Sequence, residues 1–265
     1  MRKSSLPGST PAAHQSRATR AQVEPSSRIE TSLPDDASLQ ARLAQRLAGR
    51  DRGVRPEWDV IPAAVLVPLY IDGGEWHVLY TRRTDTVDVH RGQVSFPGGR
   101  IDPEDAGPLH AALREADEEV GIRPQDVEVL GMLGPLLTVT QFEVTPVIGR
   151  VPWPYPLRLN THEVACAFGV PLRWLSDPAH VQRALRQPPI PGREILVYTF
   201  EPFLGETIWG ATARITLDLV AVWRSLALES SREDGSPILP LTPPDMRVRI
   251  RRFVEECALG GGSTR

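Results

Sequence analysis

The chain predicts an α/β sandwich, a mixed β-sheet held between helices. Three observations carry this. Apolar runs at 60–71 and 76–82 flank Asp72-Gly73-Gly74, a strand–turn–strand signature. Strand-like and helix-like segments then interleave without a regular strand–helix–strand rhythm, which speaks against a barrel or a doubly wound sheet. Between them Leu109, Ala112, Leu113, Ala116 and Val120 recur at i, i+3, i+4, i+7 and i+11. That is the apolar stripe of one helix facing a core.

The elements follow in order. Residues 1–35 are rich in Ser, Pro and Ala and poor in large apolar groups. They read as a disordered extension, because they bury too little to offset the entropy of ordering. Arg2, Lys3, Arg17 and Arg20, with no acid nearby, superficially resemble a transit peptide. No amphipathic stripe accompanies them, so a frayed tail is preferred. A domain over 36–230 opens with a helix at 36–50. Asp36 or Ser38 caps it, Leu39, Leu43 and Leu47 share a face, and Gly49 ends it. Further strands are expected at Val127–Leu137, Glu143–Val151, Glu163–Val170 and Glu194–Glu201. Helices are expected at Leu109–Val120, Ala211–Leu228 and Pro244–Leu259. Residues 231–259 form a linker and C-terminal helix, and 260–265 a flexible tail.

Composition narrows the function. The 265 residues, 41% hydrophobic, suffice for one sizeable core. A net charge of −3 argues against a globally basic nucleic-acid binder. No apolar run approaches the roughly 20 residues of a membrane helix. The two cysteines, Cys166 and Cys257, cannot build a disulfide framework or a cysteine-rich zinc site, and they fit a reducing cytoplasm. Cys166 alternates with Val164 and Phe168 and reads as buried and inert.

The informative stretch runs from Ser95 to Ile122. A Pro97-Gly98-Gly99 turn leads through a polar loop into a helix starting near Gly107 or Pro108. On that helix Glu115 and Glu119 stand i, i+4 on the flank of the stripe. Glu118 lies beside them, Arg114 is placed to brace it, and Gly121 ends the helix in a left-handed cap. Like charges raise one another's pKa, and a hard divalent cation with oxygen ligands resolves the clash. A solvated acidic face paired to surface arginines is the alternative on spacing alone.

Gly99, Arg114-Glu115, Glu118-Glu119 and Gly121-Ile122 resemble the Nudix box of Nudix hydrolases. Asp105 stands where Glu is usual, Arg114 comes one residue late, and Ala116 replaces a bulkier apolar residue. These features resemble the coenzyme A diphosphatase-like branch. So do Leu79-Tyr80-Thr81-Arg82-Arg83, His90-Arg91-Gly92-Gln93 through Gly99, Val144-Thr145-Pro146-Val147, Glu163-Val164, Pro171-Leu172 and Ile208 to Ala213. Two positions depart from that branch: Asp88 where a basic residue is usual, and Gln141 in place of a glycine.

The resemblance implies a Nudix-like α/β/α sandwich and hydrolysis of a pyrophosphate bond in a nucleoside-diphosphate-linked substrate. Coenzyme A or acyl-CoA, giving 3',5'-ADP and (acyl-)phosphopantetheine, is the first expectation. ADP-ribose, a nucleotide sugar or a dinucleotide is the second, and a non-catalytic nucleotide-binding module the rival. By carry-over Glu115, Glu119, Glu118 and the Gly99 carbonyl hold Mg²⁺ or Mn²⁺, and Arg114 orients the glutamates. Glu163 is a general base, an extra ligand or an ordinary strand-edge carboxylate. Arg82, Arg83, His90 and Gly98 are candidate substrate contacts. Arg82 and Arg83 alternate on a strand, so only one faces the cleft, and His90 is as readily a loop histidine bonded to backbone. Trp209 reads as a core or helix-start residue before a stacking platform, and Thr212 as a cap for a helix starting near Ala213. The arginines of 245–257 read as a solvated face. The implied partner is a small nucleotide-type molecule, with no nucleic acid, no membrane, and homodimer formation left open.

Overall fold

The computed structural model describes residues 41–43, 45, 47, 59–85, 92–187 and 194–233, with side chains described through 226. Eight strands form one sheet. They are β1 (Ile61–Asp72), β2 (Glu75–Arg83), β3 (Val94–Ser95), β4 (Gly98–Arg100), β5 (Glu128–Met132), β6 (Leu136–Leu137), β7 (Phe142–Arg150) and β8 (Val164–Pro171). Two more, β9 (Val181–Arg186) and β10 (Ile195–Phe200), pair as an antiparallel ribbon. The helices are α1 (Pro108–Val120), α2 (Leu172–Leu175) and α3 (Gly210–Glu233).

The β1–β2 hairpin turns on Gly73 and Gly74, both at positive φ (58° and 78°). A two-residue hairpin turn needs that backbone, and glycine adopts it without steric cost. The hairpin pairs only near its turn, Leu69 to Asp72 against Val78 to Glu75. Beyond that the strands part, and residues 94–100 fill the fork: β3 pairs with β2 and β4 with β1. β1 also runs parallel to β7, while β8 pairs antiparallel with β2, so the sheet is mixed.

Strand alternation divides the core into two layers. From β1, Val67 and Leu69 enter one cluster, while Ala64, Leu66 and Tyr70 enter the other. The first cluster includes Leu43, Leu47, Leu172 and Leu175, and Ala213, Ile215, Leu219, Val222 and Leu226 of α3. The second includes Ala111, Ala112, Ala116 and Val120 of α1. The α/β/α sandwich is therefore observed. Three fully buried alanines let α1 lie close on β1, and a larger side chain there would be overpacked.

Several expectations are corrected. The strand expected over Val127–Leu137 breaks into β5 and β6, because Gly134-Pro135 interrupts it and proline donates no ladder bond. β9 was not expected, since every residue after Val181 is exposed and no buried alternation marks it. Thr212 does not cap α3, which already starts at Gly210; its hydroxyl donates to the Val94 carbonyl at 3.0 Å and ties the helix to β3. Trp209 precedes that helix but is 44% exposed, so it is no core residue. Cys166 is only partly buried and stands opposite Arg82. α3 runs to Glu233, past the helix end expected at Leu228. Residues 1–35, the cap and stop of the 36–50 helix, Asp88, His90, the 244–259 helix and the 260–265 tail lie outside the described residues. No helix among the described residues is long and apolar enough to cross a membrane.

Candidate active site

The site is built where β4, α1, the end of β2 and the loop before β8 meet. Pro108 occupies the first turn of α1, where its missing N–H costs nothing, and Gly121 closes the helix at φ 72°. Loop 157–163 then docks on the helix C-terminus. The N–H of Arg158 donates to the Val120 carbonyl at 2.9 Å, and that of Asn160 to the Glu119 carbonyl at 2.8 Å. Both bonds satisfy carbonyls that a helix end leaves open. The same loop is held from the other side by β2. Thr84 donates its N–H to the Glu163 carbonyl at 2.9 Å and its hydroxyl to the His162 carbonyl at 2.9 Å. Glu119, Arg83 and Glu163, far apart in sequence, are thereby brought to one place.

Arg114 anchors the acidic face. Its Nε and Nη2 donate to the two Asp105 oxygens at 3.1 and 2.9 Å, a bidentate pair. Nη1 is left for Glu115 at 3.0 Å and Glu118 at 3.4 Å, and Nη2 also reaches the Arg100 carbonyl at 3.3 Å. Asp105 further accepts from the Asp102 N–H at 2.8 Å and pairs with His110 Nδ1 at 2.7 Å. The Arg114 guanidinium holds the Asp105 carboxyl well below the usual carboxylate range, and Asp105 raises Arg114 in return. Sequence reasoning placed Asp105 in the box but saw neither this bidentate tie nor His110.

The Gly98-Gly99 pair, expected as a turn, lies in β4 paired with β1, and it permits the close approach of backbone to carboxylate. A Cβ on Gly99 would sit 2.7 Å from the Glu115 carboxyl carbon, and one on Gly98, at φ 155°, would strike Val65 Cα at 2.6 Å. Glu119 is buried, 4% exposed. Burial pushes its carboxyl up to about 8; Glu115 and Glu163 add repulsion, while Arg83 and the Gly98 backbone oppose the rise. The Arg83 Nη1 stands 3.8 Å from it. Burial also raises Glu115, with Arg114 pulling the other way. Glu118 is exposed at the rim.

Of the expected substrate contacts, Arg83 and Gly98 join the glutamates. Arg82 does not: it leaves β2 on the other side, with Nε 3.3 Å from Glu206, a partner that no local pattern announces. The alternation of Arg82 and Arg83 was legible, but which one faced the glutamates was not.

Among the described residues no three His, Cys, Asp or Glu side chains already converge as a cation cage. The donor set still fits a hard divalent ion. It is oxygen only, its carboxylates repel one another, and Gly99 of β4 carries no Cβ that would displace Glu115. Arg83 Nε is buried with no hydrogen-bond partner among the described residues, which suits an incoming anion.

Part of the chain is similar to known proteins. Residues 60–184 match the family model for the NUDIX domain. This segment is a NUDIX domain. It contains the 95–122 box, β1 to β8 and Glu163, and it ends within β9. Over 110 residues the chain is 49% identical to a protein of Cronobacter sakazakii named as an uncharacterized Nudix hydrolase, NudL. The same comparison gives 46% with the NudL of Escherichia coli K12. Each match covers 42% of this chain and 57% of the relative's length. A solved NUDIX hydrolase from Alicyclobacillus acidocaldarius is 18% identical, with a TM-score of 0.42 over 65% of this chain and 97% of that one.

Proposed function

We propose that this chain is a divalent-metal-dependent pyrophosphohydrolase acting on a nucleoside diphosphate linked to a second group. The observation that carries the reading is Glu119, a carboxylate buried beside the Gly98-Gly99 pair of β4 with Glu115, Glu163 and Arg83 around it. A buried acid with acidic neighbours is unstable alone and is suited to a cation.

Glu115, Glu118, Glu119 and the Gly99 carbonyl would hold Mg²⁺ or Mn²⁺. When bound, the ion neutralises charge on the pyrophosphate and acidifies a water. The chain supplies the rest. Arg114, locked by Asp105, keeps Glu115 and Glu118 aimed along one face of α1. Arg83 offers its buried Nε and its Nη groups to a phosphate oxygen. Glu163, on the loop clamped to both α1 and β2, takes the proton of the attacking water. The water oxygen bonds to one phosphorus, the bridging P–O bond breaks, and two phosphate monoesters result.

Coenzyme A or an acyl derivative is the substrate favoured by the flanking motifs from Leu79 to Ala213. The test is hydrolysis of a panel with Mg²⁺: coenzyme A, acetyl-CoA, ADP-ribose, a nucleotide sugar and a dinucleotide. Release of 3',5'-ADP from coenzyme A ahead of the others supports the full reading. Preference for another member moves the substrate and keeps the chemistry. Tight nucleotide binding without turnover would mark a non-catalytic module.

A further inference from the structure

We propose that Asn160 is a positioning residue that fixes the Glu163 carboxylate relative to Glu119. The proposal rests on the reading of Glu163 as the proton acceptor. Asn160 sits at the start of the turn before β8, and its five polar bonds all serve that turn. Its backbone N–H donates to the Glu119 carbonyl at 2.8 Å, and its carbonyl accepts from the N–H groups of Glu163 at 2.9 Å and Val164 at 2.8 Å. Its side-chain Oδ1 accepts from the His162 N–H at 3.2 Å, while Nδ2 donates to Glu163 Oε1 at 3.3 Å.

The amide orientation is decided by chemistry. Oδ1 must face the N–H and Nδ2 must face the carboxylate, since the reverse would oppose donor to donor and acceptor to acceptor. Asn160 thus joins the backbone of one acid to the side chain of the other. Glu163 is only half-buried, so its backbone clamp to Thr84 leaves its χ angles free to swing. The Asn160 amide is the side-chain donor that pins one of its oxygens. A base displaced by about 1 Å loses up to a hundredfold in rate.

Three variants separate positioning from turn formation. Asn160→Asp keeps the shape and the Oδ1 acceptor for His162, but replaces the donor to Glu163 with a repelling charge. Asn160→Ser keeps a turn-capping oxygen without added charge and is too short to reach Glu163. Asn160→Ala removes both. Thermal midpoints, kcat and KM are measured for each, alone and with Glu163→Gln. The expected result is a kcat lowered about tenfold or more in all three, with KM within about twofold. Asp is at least as damaging as Ala, although its midpoint stays closest to wild type. In the Glu163→Gln background the three have no further effect on kcat. If Asp restores wild-type kcat, Asn160 only shapes the turn and the proposal is overturned. The same follows if the three still lower kcat when Glu163 is Gln, or if Glu163→Gln alone leaves kcat intact. A wild-type protein inactive on every pyrophosphate would overturn the functional reading itself.

Discussion

Replacing Glu119 with Gln should stabilise the metal-free protein at high pH. The side chain is 4% exposed, and its carboxyl is pushed up to about 8 by burial, against an ordinary value of 4.5. A carboxyl with a raised folded value binds its proton more tightly folded than unfolded. Stability is therefore full below about pH 4.5, falls as pH rises toward 8, and is flat above. The raised value corresponds to a loss on the order of 5 kcal/mol across that window. For a domain of this size that is a drop of roughly 10 °C in midpoint. Glutamine keeps the shape and cannot ionise, so Glu119→Gln should lack this slope. The assay is thermal unfolding in chelator at pH 5, 7 and 9, then at pH 9 with Mg²⁺. Wild type should lose midpoint from pH 5 to 9 and regain it with Mg²⁺; the variant should do neither. A variant less stable than wild type at pH 9 in chelator would refute the reasoning, because Glu119 would then be satisfied as an anion without a cation.

Two other changes probe the frame around the site. Asp105→Ala removes the bidentate partner of Arg114, which keeps Glu115 and Glu118, and should cost about 1.5–3 kcal/mol at pH 7. Because Arg114 holds Asp105 below the usual carboxylate range, that cost should shrink as pH falls below the ordinary value, a trend readable in denaturant melts at pH 7 and pH 3. Gln141 is a non-glycine residue at φ 66° in the exposed turn before β7. Gln141→Gly should relieve the left-handed strain and gain about 0.5–1 kcal/mol, net of its unfolded-state entropy. A lower midpoint would show that the glutamine side chain makes a compensating contact.

The layers were legible because their signals are local. The Asp72-Gly73-Gly74 turn, the stripe from Leu109 to Val120 and the Gly121 stop each follow from backbone chemistry within one segment. The spacing of Glu115, Glu118 and Glu119 follows from the same helical period. What escaped were relations between segments. Nothing in the spacing of Thr84, Asn160 and Glu163 announces that β2 and α1 clamp one loop between them. The bidentate Asp105–Arg114 tie spans the polar loop into α1, and Arg82 finds Glu206 only once α3 docks against β3. β9 was missed for a different reason: with its side chains in solvent, it carries no burial pattern to read.

The most direct test of the account is product release by wild type and Glu119→Gln from coenzyme A and the other pyrophosphates, titrated with Mg²⁺. Wild type should release phosphate monoesters only with the cation present. Glu119→Gln should fall on the order of a hundredfold or more at saturating Mg²⁺ while remaining folded. Near-wild-type turnover in the variant, or wild-type turnover undiminished by chelator, would contradict the assignment of this carboxylate face as the metal-binding centre.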